Sequence, residues 1–131
     1  MTRSVHDNFM LGYEVDSTSC TMRLRTEYRD QGPPFERTDI VFSGVEGYLF
    51  RDNLGGILFD VVEEPIEHVV AAFASDFEWG TRYGWPWASA SADRDPCAYV
   101  REKSLRAYTV QSAIGFDGFV VAESMVFEPA T

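Results

Sequence analysis

The chain has little positive charge. Its 131 residues include 11 Lys and Arg against 21 Asp and Glu, which gives a formal net charge of −10 at pH 7. Proteins that bind nucleic acids or anionic membranes need a basic surface to contact the phosphate groups. The composition therefore argues against both kinds of partner and is compatible with a cationic one.

Long apolar runs are also missing. The longest run in the middle of the chain, Val69–Ala74, is much shorter than the roughly 18 to 20 residues of a membrane-spanning helix. The first eight residues lack the apolar region of a signal peptide. The two cysteines, Cys20 and Cys97, form no Cys-x-x-Cys pair, so we expect reduced thiols packed as small apolar side chains. These absences predict a soluble cytoplasmic protein.

Motifs of catalysis and cofactor binding are absent from the sequence. It has no Gly-rich phosphate loop, no Cys and His metal-ligand set and no Gly-x-Ser-x-Gly turn. We therefore predict no cofactor, no metal site and no catalytic residues. One alternative is a small hydrolase or isomerase in which Asp7 orients His6 as a general base. Adjacent side chains on an extended chain point apart, which disfavours this pairing. His68 is predicted to be an exposed histidine on a helix.

Apolar and aromatic residues are plentiful, at 45% and 15% of the chain, and suffice for one core. The length fits a single domain over residues 1–131. Between Cys20 and Tyr28 apolar and polar residues alternate, which predicts a half-buried antiparallel strand. Strand-like segments also cover 9–15, 38–50, 57–62, 105–114 and 119–127, with turn-like composition at 52–56 and 115–118.

One segment changes to helical periodicity. Apolar residues follow one another at spacings of three and four, and Glu63, Glu64 and Glu67 favour the positive end of a helix dipole. This predicts a helix from about Pro65 to Trp79 that stops at Gly80. The element order predicts an α+β fold: a curved antiparallel sheet of about six strands, a meander plus a C-terminal hairpin, packed on one main amphipathic helix. The chain also indicates a short helix over Cys97–Ser104.

The segment from Asp52 to Thr81 contains seven acidic residues and no Lys or Arg. Such a segment is either a solvated helix face or an electrostatic face that attracts a basic partner. No calcium-binding loop accompanies it. The acidic candidates for binding are Glu63, Glu64, Glu67, Asp76 and Glu78.

Aromatic residues cluster in the next segment, where the chain from Thr81 to Pro96 is predicted to be irregular. Trp, Tyr and Arg are typical anchors of protein interfaces. The alternatives are that this loop folds back over the core, that it contacts a partner or a second copy, or that it lines a ligand pocket. The aromatic and basic candidates for binding are Trp79, Arg82, Tyr83, Trp85 and Trp87.

The strand patterns in the N-terminal half follow an order that resembles the order in a known kind of protein. His6 and Asp7 precede a first strand, an alternating strand runs through Thr26–Tyr28, and the patterns Ile40–Phe50 and Ile57–Glu64 follow. Over roughly residues 6–68 this resembles small β-rich bacterial domains of unassigned function, including some immunity-like proteins of toxin systems. The resemblance implies binding by surface complementarity, with an acidic face suited to a basic toxin, and it assigns no catalytic residue.

The leading hypothesis is a non-enzymatic, immunity-like protein-binding domain that uses the acidic face and the aromatic loop. There are two alternatives to this hypothesis. One is a small-molecule carrier with a pocket between helix and sheet, and the other is the enzyme that uses His6. Exposed strand edges and the tryptophan loop are also compatible with a homodimer.

Overall fold

A computed structural model describes residues 4–83, 85–87 and 95–130, without the side chains of residues 52–54 and 82. The strands are β1 (Phe9–Asp16), β2 (Thr21–Tyr28), β3 (Glu36–Ser43), β4 (Gly47–Glu64), β5 (Arg106–Ala122) and β6 (Ser124–Pro129). The helices are α1 (Ile66–Ala72), α2 (Ala74–Gly80), a 3₁₀ helix at Thr81–Tyr83, and α3 (Pro96–Glu102). The strands form one antiparallel sheet, in the order β5-β4-β1-β2-β3-β6, that is not closed. The prediction of an α+β fold with an antiparallel sheet is confirmed.

The first three strands form a meander, as predicted, but the fourth strand, β4, pairs with β1 and β5 and does not continue the meander beside β3. In β2, Met22 and Leu24 are buried, whereas Arg23 and Arg25 point to the other face, as the alternation predicts. Cys20 lies in the turn before β2 and is exposed, so the prediction that it packs as an apolar side chain is wrong.

The sheet bends sharply where β3 passes into β4. Gly44 has a φ of +64°, a conformation that glycine adopts without strain. Opposite this corner, Glu123 alone separates β5 from β6, and its N–H donates to the carbonyl of Ser43 at 3.0 Å. The β3–β4 segment and the β5–β6 segment that pairs with it therefore bend at the same point. As a result β5 and β6, which are consecutive in sequence, form the two edges of the sheet.

The predicted C-terminal hairpin is wrong. Residues 115–118 lie inside β5, which pairs with β4 over its whole length, and β6 pairs with β3. The turn-like residues 52–56 likewise lie inside β4. These two segments face each other: Asp52 pairs with Phe116 and Ile57 with Ile114, so β4 has a bulge at this point. The glycines of these two segments therefore accommodate a bulge in the paired strands and do not mark a reversal of the chain.

The predicted single helix is two short helices. Phe73, with φ −117° and ψ 37°, interrupts the helical conformation between α1 and α2. The apolar stripe nevertheless faces the sheet, and the rings of Phe73 and Phe77 lie 5.1 and 5.4 Å from that of Phe119 in β5. Burying each of these side chains contributes about 1.5–3 kcal/mol. The short helix predicted near Cys97 is confirmed as α3.

Strand β5 separates two clusters of buried side chains. Alternate residues of β5 point to opposite faces, so that Phe119 and Val121 pack under the helices while Val120 and Ala122 pack inside the curved sheet. None of the helices in the described residues is long and apolar enough to cross a membrane.

Candidate functional site

The aromatic segment divides into buried and exposed residues. Trp87 is only 7% exposed and stacks on Tyr99 of α3. Trp85 is half-buried, and its ring lies 5.2 Å from that of Phe77. Trp87 therefore packs into the core and has little surface to offer a partner, which favours the alternative that this part of the chain folds back over the core. The prediction of Trp87 as a binding residue stays a prediction.

Trp79 and Tyr83 lie on the outside instead. They are 65% and 72% exposed, and their ring centroids are 5.2 Å apart. Between them Gly80 is buried, and a Cβ at that position would lie 2.5 Å from Cε3 of Trp85. Gly80 thus packs closely on Trp85, while Trp79 and Tyr83 face solvent. We call these two residues the aromatic pair. The side chain of Arg82, also predicted for this site, lies outside the described residues.

The predicted acidic face is partly neutralised. Three of its five candidate carboxylates form ion pairs with arginines from other elements: Glu63 with Arg106, Glu67 with Arg101, and Asp76 with Arg51. Glu64 is half-buried and Glu78 is exposed. The absence of basic residues from segment 52–81 therefore does not make its surface uniformly acidic.

His6 is poorly arranged for catalysis. Its Nδ1 lies 2.8 Å from the carbonyl oxygen of Phe59, and its Nε2 lies 3.4 Å from Oδ2 of Asp7. A general base oriented by a carboxylate needs its second nitrogen to face the substrate. In His6 both nitrogens are engaged within the protein. His68 is exposed on α1, as predicted.

A cavity of about 490 Å³ lies where the β1–β2 turn, the corner between β3 and β4 and the Trp85–Pro86 segment meet. The carrier hypothesis placed a pocket between helix and sheet, whereas this cavity lies at one end of the sheet. No pattern in the sequence connects these segments, because they are far apart along the chain. The residues lining it are Tyr13, Val15, Asp16, Ser17, Cys20, Val45, Glu46, Gly47, Tyr48, Leu49, Phe50, Trp85 and Pro86.

The charged residues in the described lining of this cavity are acidic. Oδ1 of Asp16 accepts hydrogen bonds from the backbone N–H groups of Ser19 and Thr18, at 3.2 and 2.9 Å, and these bonds lower the pKa of Asp16 below its usual value. Asp16 is therefore ionised at neutral pH. Glu46 is a second carboxylate in the lining, and none of the described lining residues is basic.

Gly47 shapes one wall of the cavity. A Cβ at this position would lie 2.6 Å from the carbonyl oxygen of Pro86. Real Cβ atoms do not approach backbone oxygens so closely, so only glycine lets Pro86 lie against the start of β4.

A charged cluster on the meander was not predicted. Glu27 has a side chain only 6% exposed, and it accepts hydrogen bonds from Nε of Arg29 at 2.6 Å and Nε of Arg37 at 3.2 Å. These two guanidinium groups lower the pKa of Glu27. Nearby, Arg23 bridges Asp39 and Glu128. The alternating charges of β2 were the signal, but Arg37, Asp39 and Glu128 lie on other strands, and Arg29 lies just after β2.

In the described residues, no three His, Cys, Asp or Glu side chains come together to hold a metal ion. Comparisons of the chain with protein-family models, with curated proteins and with solved structures found no match. The geometry of the described residues is thus what remains to support a function.

Proposed function

We propose that the protein is a non-enzymatic, immunity-like protein-binding domain whose contact surface is centred on the aromatic pair. The observation that carries this proposal is the exposure of Trp79 and Tyr83, at 65% and 72%. Large aromatic side chains are costly to leave in water, and they supply much of the binding energy in protein interfaces. Their contact with each other leaves most of both rings open to a partner.

The charge of the chain supports a basic partner. The net charge of −10 attracts cationic proteins over distances of about 8–10 Å at physiological salt. Glu78, the residue before Trp79 in α2, adds an exposed carboxylate to the same helix. The three ion-paired acids contribute less to this attraction, since each has an arginine beside it. The resemblance to immunity-like proteins agrees with a basic, toxin-like partner.

The test compares three forms of the protein in a pull-down from the host lysate at low and high salt. They are the wild type, the double variant Trp79→Ala/Tyr83→Ala, and the control Ile114→Ala, which removes another exposed apolar side chain (60% exposed) on β5. The purified partner is then titrated against each form. We expect the double variant to bind at least roughly 30-fold more weakly, as loss of an interface anchor does, and the control to bind like the wild type. Equal affinity of all three forms would refute the proposal.

A small-molecule carrier is the second candidate, because of the cavity at the end of the sheet. Its volume of about 490 Å³ is within the usual range of ligand pockets, about 300–1,000 Å³. A ligand that binds only the folded protein raises the melting temperature. A thermal-shift screen with a metabolite panel therefore tests this candidate independently of any protein partner.

A further inference from the structure

The walls of the cavity are aromatic. Tyr13 and Tyr48 flank Phe50, with ring centroids 5.0 and 5.5 Å from it, and both tyrosines are partly exposed. Trp85 lines the cavity as well. Rings of this kind attract an organic cation through the negative potential of their faces.

The cavity also supplies a counter-ion for such a cation. Asp16 is exposed, and its carboxylate accepts hydrogen bonds from the backbone N–H groups of Ser19 and Thr18 and from the hydroxyl of Ser19. Because it is exposed and ionised, this carboxylate can also face a cationic ligand. The described lining contains no Lys, Arg or His, so none of these residues competes with a cationic ligand for Asp16. An anionic ligand would face Asp16 without a compensating positive charge from the described lining.

The volume of the cavity fits a whole small molecule better than a single side chain of a partner protein. A single lysine or arginine side chain from a partner would leave much of about 490 Å³ unfilled, and unfilled apolar space contributes no dispersion energy. We propose that this cavity binds a small organic cation, an ammonium or guanidinium group that carries an apolar substituent. The inference deepens the carrier candidate and does not depend on the aromatic pair, which lines no part of this cavity.

Cys20 provides a direct reporter of occupancy. Its thiol is exposed and lines the cavity, so a bound ligand shields it from a thiol reagent. Replacing Cys97 by serine leaves one thiol in the chain, and this Cys97→Ser protein is the parent for the experiment. The probe is benzyltrimethylammonium, compared with the neutral 2-phenylethanol and the anionic 3-phenylpropanoate. The measured quantity is the rate at which 5,5′-dithiobis(2-nitrobenzoate) modifies Cys20 at increasing concentrations of each compound.

We expect only the cation to slow the modification in a saturable way, and calorimetry to give the same dissociation constant. Asp16→Asn keeps an oxygen that can accept the two backbone hydrogen bonds, so the turn is preserved while the charge is lost. This variant should bind the cation roughly tenfold more weakly, as removal of one charged partner does. Tyr48→Leu should weaken the binding of the cation and leave the binding of the neutral compound unchanged. The control Asp30→Asn removes an exposed carboxylate outside the cavity and should behave like the parent.

Three results would overturn the inference: no protection by the cation, equal protection by all three compounds, or unchanged cation binding by Asp16→Asn. Circular dichroism of each variant confirms that it is folded. Because Trp79 and Tyr83 are intact in every variant, these results leave the protein-binding proposal to its own test.

Discussion

The indole ring of Trp87 stacks on the phenol ring of Tyr99, with ring centroids 4.9 Å apart and ring planes inclined by 20°. Both residues are buried, at 7% and 2% exposure. The contact joins the Trp85–Trp87 segment to α3 beneath the surface. One tryptophan of the aromatic segment is therefore structural, whereas Trp79, eight residues earlier, faces solvent.

The first prediction separates these two tryptophans by stability. Trp87→Ala should lower the free energy of unfolding by about 3–5 kcal/mol, because it removes a buried aromatic ring and leaves a cavity. Trp79→Ala should change it by less than about 1 kcal/mol, since that side chain is mostly exposed. Urea denaturation at pH 7 measures both values. Equal losses for the two variants would show that the assignment of buried and exposed roles is wrong.

The second prediction concerns the contact between Gly47 and Pro86. Gly47→Ala should lower the free energy of unfolding by about 1–3 kcal/mol, because the new methyl group would displace the backbone of Pro86. Gly12→Ala is the matched control, since a Cβ at Gly12 has no neighbour within 4 Å. Urea denaturation compares the two variants. A control that loses as much stability as Gly47→Ala would point to glycine replacement in a strand as the cause, and not to this contact.

The third prediction is a dependence of stability on pH. The pKa of Glu27 is lowered in the folded protein by Arg29 and Arg37, so the folded state binds this proton more weakly than the unfolded state. The stabilisation is complete above about pH 4.5, the ordinary value, and is lost as the pH falls through the lower folded value. Glu27→Gln should therefore destabilise the protein at neutral pH, by an amount that shrinks in acid.

Unfolding curves across the acidic range test this dependence. Glu78→Gln, at an exposed site, serves as the control and should follow the wild type at every pH. A difference between Glu27→Gln and the wild type that stays constant down to acid pH would contradict the role given to the two arginines.

The fourth prediction concerns the two thiols. Burial, with a smaller effect from Asp95, raises the pKa of Cys97, so little of it is thiolate at pH 8. Cys20 is exposed. A thiol reagent should modify the native protein in a fast phase and a slow phase of one thiol each, and Cys20→Ser should remove the fast phase. A single rate for both thiols in the native protein would contradict the difference in burial.

Local patterns predicted much of the fold because they act over a few residues. The alternation around Met22 and Leu24 predicted β2, and the spacing of Phe73 and Phe77 predicted the helical face. The turn-like segments at 52–56 and 115–118 were misread, since a bulge and a chain reversal both favour glycine. Only their pairing across β4 and β5 shows which of the two is present.

The positions of the candidate sites were harder to predict from the sequence than the strands, because the sites are formed by tertiary contacts. The cavity brings together Asp16, Tyr48 and Trp85, which no spacing in the sequence connects. Likewise, neighbours along the chain did not show which aromatic residues are exposed. In the folded protein Gly80 packs against Trp85 and Trp87 is buried, while the aromatic pair lies outside.

Composition alone establishes that the molecule is acidic, because the net charge of −10 is a sum over residues and does not depend on their positions. The charge of any one surface does depend on them. Segment 52–81 contains no Lys or Arg, yet folding places Arg51, Arg101 and Arg106 beside its carboxylates. Electrostatic interactions act through space over a few ångströms, so the partners of a carboxylate are set by how strands and helices pack and not by the order of residues in the chain.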